Sequence, residues 1–432
     1  MEAEQKREMD WWEVLWKYSI FECSDSAWSL IIVSTYFATF LQVVLHQPGA
    51  TFGKAVTVGA LIIAVISPIL GAAADHSGRR QPYLRFFTFG VVLMTAAMGF
   101  ATTVPMALTL FVLAYVSVNG AFTFFTAMLP AVSNERNVGT ILPLTVGIGY
   151  AGGLITFFGL KPLVPTDDLA GRVFLPMAII YLIFALPAMF ISPDFEQKST
   201  HKLDIGAAYR RIGQTFKEAQ KHRFLFRFLI ADFLYENAVA SVITLMGLYA
   251  RNVMHFSAGE LTMVFGPSIV VAMLSAWGIF GPLVRKIGPK KSVLVDLGVW
   301  LLLFALALVV RPGTTLHLGA TTIPDKMLFT IGVAPLAGLG LAGVWTASRV
   351  LLTALTPAEK SGEFWGLYNL SGRTASVLGD MTWTAVLIWL GEGLFGYQMA
   401  LVALAVYVVA GGLMVFALPD ARPTAANFVR HA

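Results

Sequence analysis

The sequence predicts an all-α integral membrane protein of about twelve transmembrane helices, arranged as two six-helix pseudo-repeats. Of its 432 residues, 57% are apolar and only 13% are charged, whereas a soluble domain carries roughly 25% charged residues. The apolar residues also fall into runs close to the roughly 20 residues that a membrane span needs. A third observation is an internal repeat that relates the two halves of the chain. A large soluble enzyme with a buried core is the disfavoured alternative.

Twelve apolar runs define the predicted spans. They cover residues 18–45, 53–74, 85–104, 106–130, 139–161 and 172–192, and then 225–250, 260–282, 292–311, 326–354, 363–390 and 394–418. The chain therefore divides into an N-terminal half at 1–192, a cytoplasmic linker at 193–224 and a C-terminal half with a short tail at 225–432. In the linker, Ile205, Tyr209, Ile212 and Phe216 share one helical face among basic residues, which predicts an amphipathic helix on the inner leaflet.

The distribution of charge predicts the orientation. The net charge is +5, but the cations concentrate in alternate loops, which is how membrane proteins fix their topology and is unlike a nucleic-acid-binding surface. The richest positions are Arg79, Arg80 and Arg85 after span two, seven Lys and Arg residues in the linker, and Arg285, Lys286, Lys290 and Lys291 after span eight. Both termini are therefore predicted to be cytoplasmic. The single cysteine, Cys23, allows no intrachain disulfide and suggests no thiol-based metal site.

The internal repeat appears when the sequence is shifted by 210 residues. This shift aligns Gly71 with Gly281, Gly78 with Gly288, Arg80 with Lys290 and Glu22 with Asp232. The loop after the second span of each half therefore has a glycine pair followed by cations, and the first span of each half carries a carboxylate at the equivalent depth. Parallel six-span repeats are typical of transporters whose substrate path runs between the halves.

The loop Gly71-Ala-Ala-Ala-Asp75-His-Ser-Gly78-Arg79-Arg80 resembles the signature of the major facilitator superfamily between spans two and three. The resemblance implies a gating role. Gly71 would allow close helix contact and Gly78 a tight turn. Asp75 would hold the N-terminus of span eleven as an anion against a helix dipole. In the alternative interpretation, Arg79 and Arg80 only orient the loop.

Two further stretches are similar to particular branches of that superfamily. Residues 21–28 in span one and 363–373 in span eleven look like the vacuole-effluxer-like ("unknown major facilitator") branch, which implies export of amino acids. The chain lacks the long loops of the fungal members, which favours a protein of the bacterial inner membrane. Residues 78–84, with paired acids in span one, resemble the sugar–cation symporters of the melibiose type instead. Both alternatives stay open.

Charged residues within the spans are the candidate coupling site, because a bare charge in hydrocarbon costs at least ~2.5–3.5 kcal/mol. Glu22 and Asp25 are three residues apart on one face of span one, and Asp232 and Glu236 are four apart on one face of span seven. Four acids that converge on one path would favour proton uptake by one of them. A sodium site built from the same oxygens is the alternative.

A polar stripe on span eleven completes the candidate site. It contains Asn369, Arg373 and Asp380, and Arg373 is the natural counter-charge to an acid or to a substrate carboxylate. Arg349, near the cytoplasmic end of span ten, is a candidate gate residue. The alternative for each of these groups is structural pairing between helices.

These observations together predict a secondary transporter, not an enzyme. It would move a small polar solute by alternating access, with proton coupling and export favoured. No cofactor is predicted, no metal site stands out, and the sequence has no Walker loop for ATP. The expected partners are the solute, a coupling ion (proton or sodium) and the lipid bilayer. A membrane receptor, assembly factor or lipid scramblase on the same fold is the alternative from a different class.

Overall fold

The computed structural model describes residues 14–77, 81–126, 138–190, 205–318, 321–357 and 361–421. These residues are helical apart from short connections and one small hairpin. The predicted all-α membrane fold is therefore confirmed.

The described residues of the first half contain six long helices. They are α1 (14–44), α2 (Gly49–Ser77), α3 (Gln81–Met98), α4 (Val104–Thr126), α5 (Val138–Leu160) and α6 (Phe174–Ala185). Short 3₁₀ turns at Lys161–Leu163 and Asp167–Val173 join α5 to α6, and another at Pro187–Phe190 follows α6. The linker forms α7 (Ile205–Lys221).

The part of the second half that the structure describes contains six more long helices and the hairpin. They are α8 (Arg223–Asn252), α9 (262–287), α10 (Pro289–Val309), α11 (325–355), α12 (Ser361–Leu390) and α13 (Leu394–Phe416). Between α10 and α11, the strands β1 (Leu316–Leu318) and β2 (Thr321–Ile323) pair antiparallel, with Leu316 opposite Ile323.

Within the described residues, nine helices are long and apolar enough to cross a membrane, and Val377–Leu390 is a shorter apolar helix. All twelve predicted spans coincide with helices, and most of their ends agree within a few residues. The third span was predicted to continue to residue 104, but α3 ends at Met98. There the amides of Gly99, Phe100 and Ala101 turn back onto carbonyls three residues earlier.

Three of the long helices contain π-helical turns that the apolar pattern did not predict. In α1 they lie at Val14–Ser19, Ser29–Tyr36 and Phe40–Val44. In α9 the turn lies at Ala276–Phe280, and in α11 at Phe329–Val333. Such turns insert an extra residue into the helix, and they are frequent at functional positions.

The turn between α9 and α10 explains the second glycine of the repeated loop. Gly288 has φ = 87°, a left-handed conformation that is strained for residues with a side chain. The turn lets α9 end at Ile287 and α10 begin at Pro289. The corresponding residue of the first half, Gly78, lies outside the described residues.

The chain forms two compact units. The first contains the residues up to Phe37 and Val65–Ala208, and the second contains Ala38–Ala64 and Tyr209–Ala432. The predicted division at residues 192 and 224 follows the sequence repeat, and it stays a prediction. The end of α1 and the first part of α2, within Ala38–Ala64, thus belong to the same unit as the helices of the second half.

Aromatic residues fill the core of the first unit. The rings of Phe37 and Phe111 stack at 4.2 Å, and those of Phe21 and Phe125 at 4.3 Å. The buried indole of Trp28 donates a hydrogen bond to the Thr95 hydroxyl at 2.9 Å. Large apolar side chains also lie on the outside of the helices, as expected for a surface that faces lipid acyl chains.

Close helix contacts hold the second unit together. Gly338 of α11 lies directly against the Ser268 backbone of α9. The Ser268 hydroxyl donates a hydrogen bond to the Ala334 carbonyl at 2.6 Å. Small residues at such crossings let two helix backbones approach, which is how membrane helices gain packing energy without a hydrophobic driving force.

Candidate functional site

Asp232 lies at the centre of a buried hydrogen-bonded chain in the second unit. It is 1% exposed on α8, and the Tyr235 hydroxyl donates to its Oδ1 at 2.7 Å. The Ser348 hydroxyl of α11 lies 2.7 Å from the same tyrosine oxygen. Because the Tyr235 hydroxyl donates its one hydrogen bond to Asp232, the Ser348 hydroxyl is assigned as the donor to Tyr235. Asp232 is therefore a buried acid with organised donors.

Glu236 lies one turn further along α8 and is half-buried. The Trp345 indole N–H of α11 donates to its Oε1 at 3.2 Å, whereas its buried Oε2 has no hydrogen-bond partner among the described residues. Asp232 and Glu236 therefore both contact α11, as expected from their spacing of four residues. Asp232 has two hydroxyl groups in its hydrogen-bonded chain, whereas Glu236 has one buried oxygen without a donor in the described part of the chain.

Among the described residues, Arg349 is a cation whose charge acts on these two acids. It lies on α11, and its side chain is exposed. It also donates a hydrogen bond to the Tyr368 hydroxyl of α12. The gate role of Arg349 that the sequence suggested stays a prediction.

The acids of span one lie in the first unit. Glu22 and Asp25 are both half-buried on α1. The side chain of Glu22 lies against Gly149 of α5, and the charge of Asp25 acts on Tyr181. The thiol of Cys23, between them, donates to the Ile148 carbonyl at 3.3 Å. A face of small residues on α5 thus lets α1 place its polar residues close to that helix.

Asp380 on α12 is wholly buried. The preceding residue, Gly379, donates its backbone N–H to the Asn237 side chain of α8 at 3.1 Å. Asn237 is itself 0% exposed, and the sequence analysis did not single it out. This amide joins α8 and α12 one residue after Glu236.

Some predicted residues cannot be placed. The side chains of Asn369 and Arg373 on α12 and of Gly71 and Asp75 on α2 lie outside what the structure describes, although their helices are defined. Gly78, Arg79 and Arg80 lie outside the described residues altogether. The gating role of this loop and the counter-charge role of Arg373 stay predictions.

Asp296 is the acid that the sequence analysis missed. It lies on α10, is 0% exposed, and neither of its carboxyl oxygens has a hydrogen-bond partner among the described residues. The charge of Glu236 acts on it. The signal was available in the sequence, because Asp296 is a single acid in the apolar run 292–311.

Comparison with known proteins places the fold in one family. The sequence profile of the Major Facilitator Superfamily matches residues 23–379. An uncharacterized MFS-type transporter of Bacillus subtilis, YxiO, is 25% identical over 382 residues, which are 84% of this chain and 85% of the relative. A protein of Streptococcus pneumoniae named multi-drug resistance efflux pump PmrA is 24% identical over 381 residues, 84% of each chain.

Two solved structures share the architecture. A variant of the nucleoside transporter NupG has a TM-score of 0.70 and 12% identity, covering 94% of this chain and 99% of NupG. A bacterial homologue of the lysosomal transporter Spinster, in an inward-facing unoccupied conformation, has a TM-score of 0.65 and 12% identity, covering 96% and 97%. At these identities the likeness concerns the fold alone.

Proposed function

Because this chain belongs to the Major Facilitator Superfamily, we propose that it is a proton-coupled secondary transporter that exports a small polar solute, with amino acids as the first substrate class to test. The chain is an integral membrane transporter and not an enzyme. Its coupling ion, substrate and direction are the proposed part.

The observation that supports proton coupling is the pair Asp232 and Glu236. Acids are rare in membrane spans because burying them is costly, and they are usually kept there for function. Asp232 accepts a hydrogen bond from Tyr235, whose oxygen lies 2.7 Å from the Ser348 hydroxyl. Glu236 has a half-buried side chain, and its Oε2 has no hydrogen-bond partner among the described residues. A group of this kind can take up and release a proton as its surroundings change between two states of a transport cycle.

The proposal of export and the proposal of an amino-acid substrate rest on different observations. The name of the Streptococcus pneumoniae relative describes an efflux pump, which favours export. The resemblance of residues 21–28 and 363–373 to vacuole-effluxer-like proteins favours amino acids. A sugar–cation symporter of the melibiose type remains the alternative, supported by the paired acids of α1 and the loop 78–84. A multidrug exporter is the second candidate, supported by the relative's name.

Transport in proteoliposomes tests the proposal. Purified protein is reconstituted, a pH gradient is imposed, and the accumulation of radiolabelled amino acids is measured against liposomes without protein. We expect accumulation that follows the direction of the gradient. We expect the double variant Asp232→Asn with Glu236→Gln to lose it. Asp420→Asn is the matched control, because Asp420 is an exposed acid outside the spans, 3.8 Å from Lys291.

Three outcomes would overturn parts of the proposal. Sodium-driven accumulation of a sugar would establish the symporter alternative. Gradient-driven movement of an organic cation dye, without any amino acid, would establish the multidrug alternative. If the double variant keeps its response to the pH gradient, Asp232 and Glu236 do not couple protons to transport.

A further inference from the structure

The segment Ala38–Ala64, here called the strap, contains the end of α1, the turn that follows it and the first part of α2. The strap belongs to the second unit, whereas the described remainder of both helices belongs to the first. The boundary therefore crosses two continuous helices instead of falling in loops. The strap takes its contacts from the second unit, although each of its ends continues as a helix outside that unit.

Both boundaries of the strap fall where the helical hydrogen bonds are irregular. In α1, the boundary after Phe37 lies between the π-helical turns Ser29–Tyr36 and Phe40–Val44. In α2, the boundary after Ala64 lies four residues before Pro68, which has no N–H to donate to the Ala64 carbonyl. Prolines and π-helical turns are the usual causes of bending in long helices. Both helices can therefore bend where the strap begins and ends.

Hydrogen bonds attach the strap to α8 and to the connection between α12 and α13. The Glu392 carboxylate accepts the backbone N–H groups of Gly49 at 2.6 Å and Ala50 at 2.5 Å, in the first turn of α2. The Arg251 guanidinium of α8 donates to the Thr39 hydroxyl at 3.2 Å. Amides in the first turn of a helix have no acceptor within it and carry partial positive charge. Glu392 therefore makes two charge-assisted bonds to the strap.

The packing of the strap leaves three buried polar atoms without partners. A methyl group on Gly53 of α2 would overlap the hydroxyl of Thr384 on α12, which is 6% exposed. Among the described residues, Oγ1 of Thr384, Oε1 of Gln42 and Oγ1 of Thr57 have no hydrogen-bond partner. Such atoms destabilise the state that buries them, relative to a state in which water reaches them. The attached strap is thus stabilised by Glu392 and destabilised by these three atoms.

We propose that the strap is a hinged lid that detaches from α8 and α12 as one piece when its bonds to Glu392 break. It bends after Phe37 and before Pro68, and it keeps its own helical turns. Detachment lets water reach the unpaired atoms of Thr384 and of the strap, which offsets the loss of the bonds to Glu392. This motion goes beyond the proposed function, because it requires neither a particular solute nor a particular coupling ion.

Labelling of a buried cysteine measures how often the strap detaches. The reporter is Thr384→Cys in the full-length protein in lipid nanodiscs, because Gly53 covers this side chain while the strap is attached. The fraction labelled by a maleimide is followed over time. We expect slow labelling of the reporter alone. Adding Glu392→Gln should make labelling about tenfold faster, because a neutral amide replaces a carboxylate that accepts two hydrogen bonds.

Asp325→Asn is the matched control for Glu392→Gln. The Asp325 carboxylate also accepts two backbone N–H groups, those of Gly313 at 2.6 Å and Lys326 at 2.7 Å, but neither belongs to the strap. This variant should leave the labelling of the reporter unchanged, and protein with Cys23 alone gives the background. Equal rates with and without Glu392→Gln would overturn the proposal. The same acceleration by Asp325→Asn would also overturn it.

The hinge in α2 has its own test. Pro68→Ala supplies an N–H for the Ala64 carbonyl, so α2 should bend less and labelling of Thr384→Cys should be several-fold slower. Pro267→Ala, at a proline within α9, is the control and should leave the rate unchanged. If Thr384→Cys does not fold, Thr57→Cys replaces it as the reporter, because the Thr57 hydroxyl oxygen is also buried. A rate that Pro68→Ala does not lower would contradict the hinge. Both tests run without solute or ion gradient, so their results are independent of the transport assay.

Discussion

The properties of a buried acid depend on the hydrogen bonds that it accepts, and the bond from the Tyr235 hydroxyl to Asp232 is the clearest case in the second unit. Removing its hydroxyl in Tyr235→Phe leaves Oδ1 of Asp232 without this donor and breaks the connection to Ser348. We expect the variant to lose about 1–3 kcal/mol of stability, the usual cost of a buried polar group left unpaired. Thermal unfolding measures the loss, and the pH profile of transport should change as well.

Tyr249→Phe is the matched control for that change. The Tyr249 hydroxyl is buried in the same unit and donates to the Ala307 carbonyl at 2.7 Å, with no acid as its acceptor. We expect this variant to lose stability but to keep the pH profile of transport. If both variants alter the profile equally, the bond from Tyr235 to Asp232 has no particular role in coupling.

The contact between Gly343 and Asp296 provides a second test at this scale. A methyl group at position 343 would overlap Oδ1 of Asp296, so Gly343→Ala should cost about 1–3 kcal/mol through overpacking. Gly298→Ala is the control, because its added methyl would meet nothing within 4 Å on the exposed side of α10. The control should be neutral or more stable in thermal unfolding. If Gly343→Ala and Gly298→Ala are equally stable, α10 and α11 can move apart at this crossing without a measurable cost in stability.

At the scale of whole elements, the loop before α9 is held by a capping box. The Ser257 backbone N–H donates to the Glu260 carboxylate at 2.8 Å, and the Glu260 N–H donates to the Ser257 hydroxyl at 3.2 Å. Lys326, at the start of α11, donates to the same carboxylate at 2.9 Å. This reciprocal pair is a known way of starting a helix. Here it also ties α9 to α11.

The capping box gives a prediction about acid stability. The Ser257 N–H and the Lys326 ammonium lower the pKa of Glu260 below its usual value of 4.5. A lowered pKa means that the folded state binds this proton less readily than the unfolded state. The contribution is therefore complete above the usual pKa and is lost as pH falls through the lowered one. The unfolding temperature of Glu260→Gln should therefore fall less steeply than that of the wild type as the pH is lowered through this range.

The expected size of this effect is small, about 0.2–1 kcal/mol, because the Glu260 side chain is 39% exposed and screened by water. Asp420→Asn is the control, since its carboxylate lies 3.8 Å from Lys291 and caps no helix. If the unfolding temperature of Glu260→Gln falls with acid pH as steeply as that of the wild type, the capping box adds no measurable stability.

The start of α2 is held in a similar way, by a residue far away in the sequence. The Glu392 carboxylate, between α12 and α13, accepts the backbone N–H groups of Gly49 at 2.6 Å and Ala50 at 2.5 Å. An anion at a helix N-terminus stabilises it by about 0.3–1 kcal/mol at the surface and up to about 2 kcal/mol when partly buried. Glu392→Ala should therefore loosen the first turn of α2.

Hydrogen–deuterium exchange detects this loosening as faster exchange in peptides that cover Gly49 and Ala50. Asp325→Asn is the control, because Asp325 also accepts a backbone N–H, that of Gly313 at 2.6 Å, in a different loop. It should leave exchange at α2 unchanged. Exchange that stays slow in Glu392→Ala would show that the neighbouring packing of Gly53 on Thr384 suffices to hold the helix.

The sequence predicted the elements better than the contacts between them. Hydropathy gave the spans because each must be long and apolar to cross lipid, whatever it packs against. The spacing of Asp232 and Glu236 likewise gave their shared face. The bonds from Glu392 to Gly49 and Ala50 were unpredictable, because they join positions more than 300 residues apart. Asp296, by contrast, could have been found, since an acid within an apolar span is a sequence signal.

For the molecule as a whole, the polar contacts of the second unit separate into two ends, and this separation agrees with the predicted topology. One end contains the bonds of Glu392 to Gly49 and of Lys326 to Glu260. The other contains Lys290 bonded to the Leu418 carbonyl, and Lys291 near Asp420. Counting spans from a cytoplasmic N-terminus puts the first set outside and the second inside. Every contact then joins loops that belong on the same side.

Labelling of single cysteines tests that orientation. Thr322 lies in the hairpin between α10 and α11, predicted to be outside, and Lys217 lies on α7, predicted to be inside; both are exposed. In intact cells, a membrane-impermeant maleimide should label Thr322→Cys and should reach Lys217→Cys only after permeabilisation. Cys23 needs no removal, because it is buried with its thiol bonded to Ile148. The reverse pattern would place the basic loops outside and invert the predicted direction of transport.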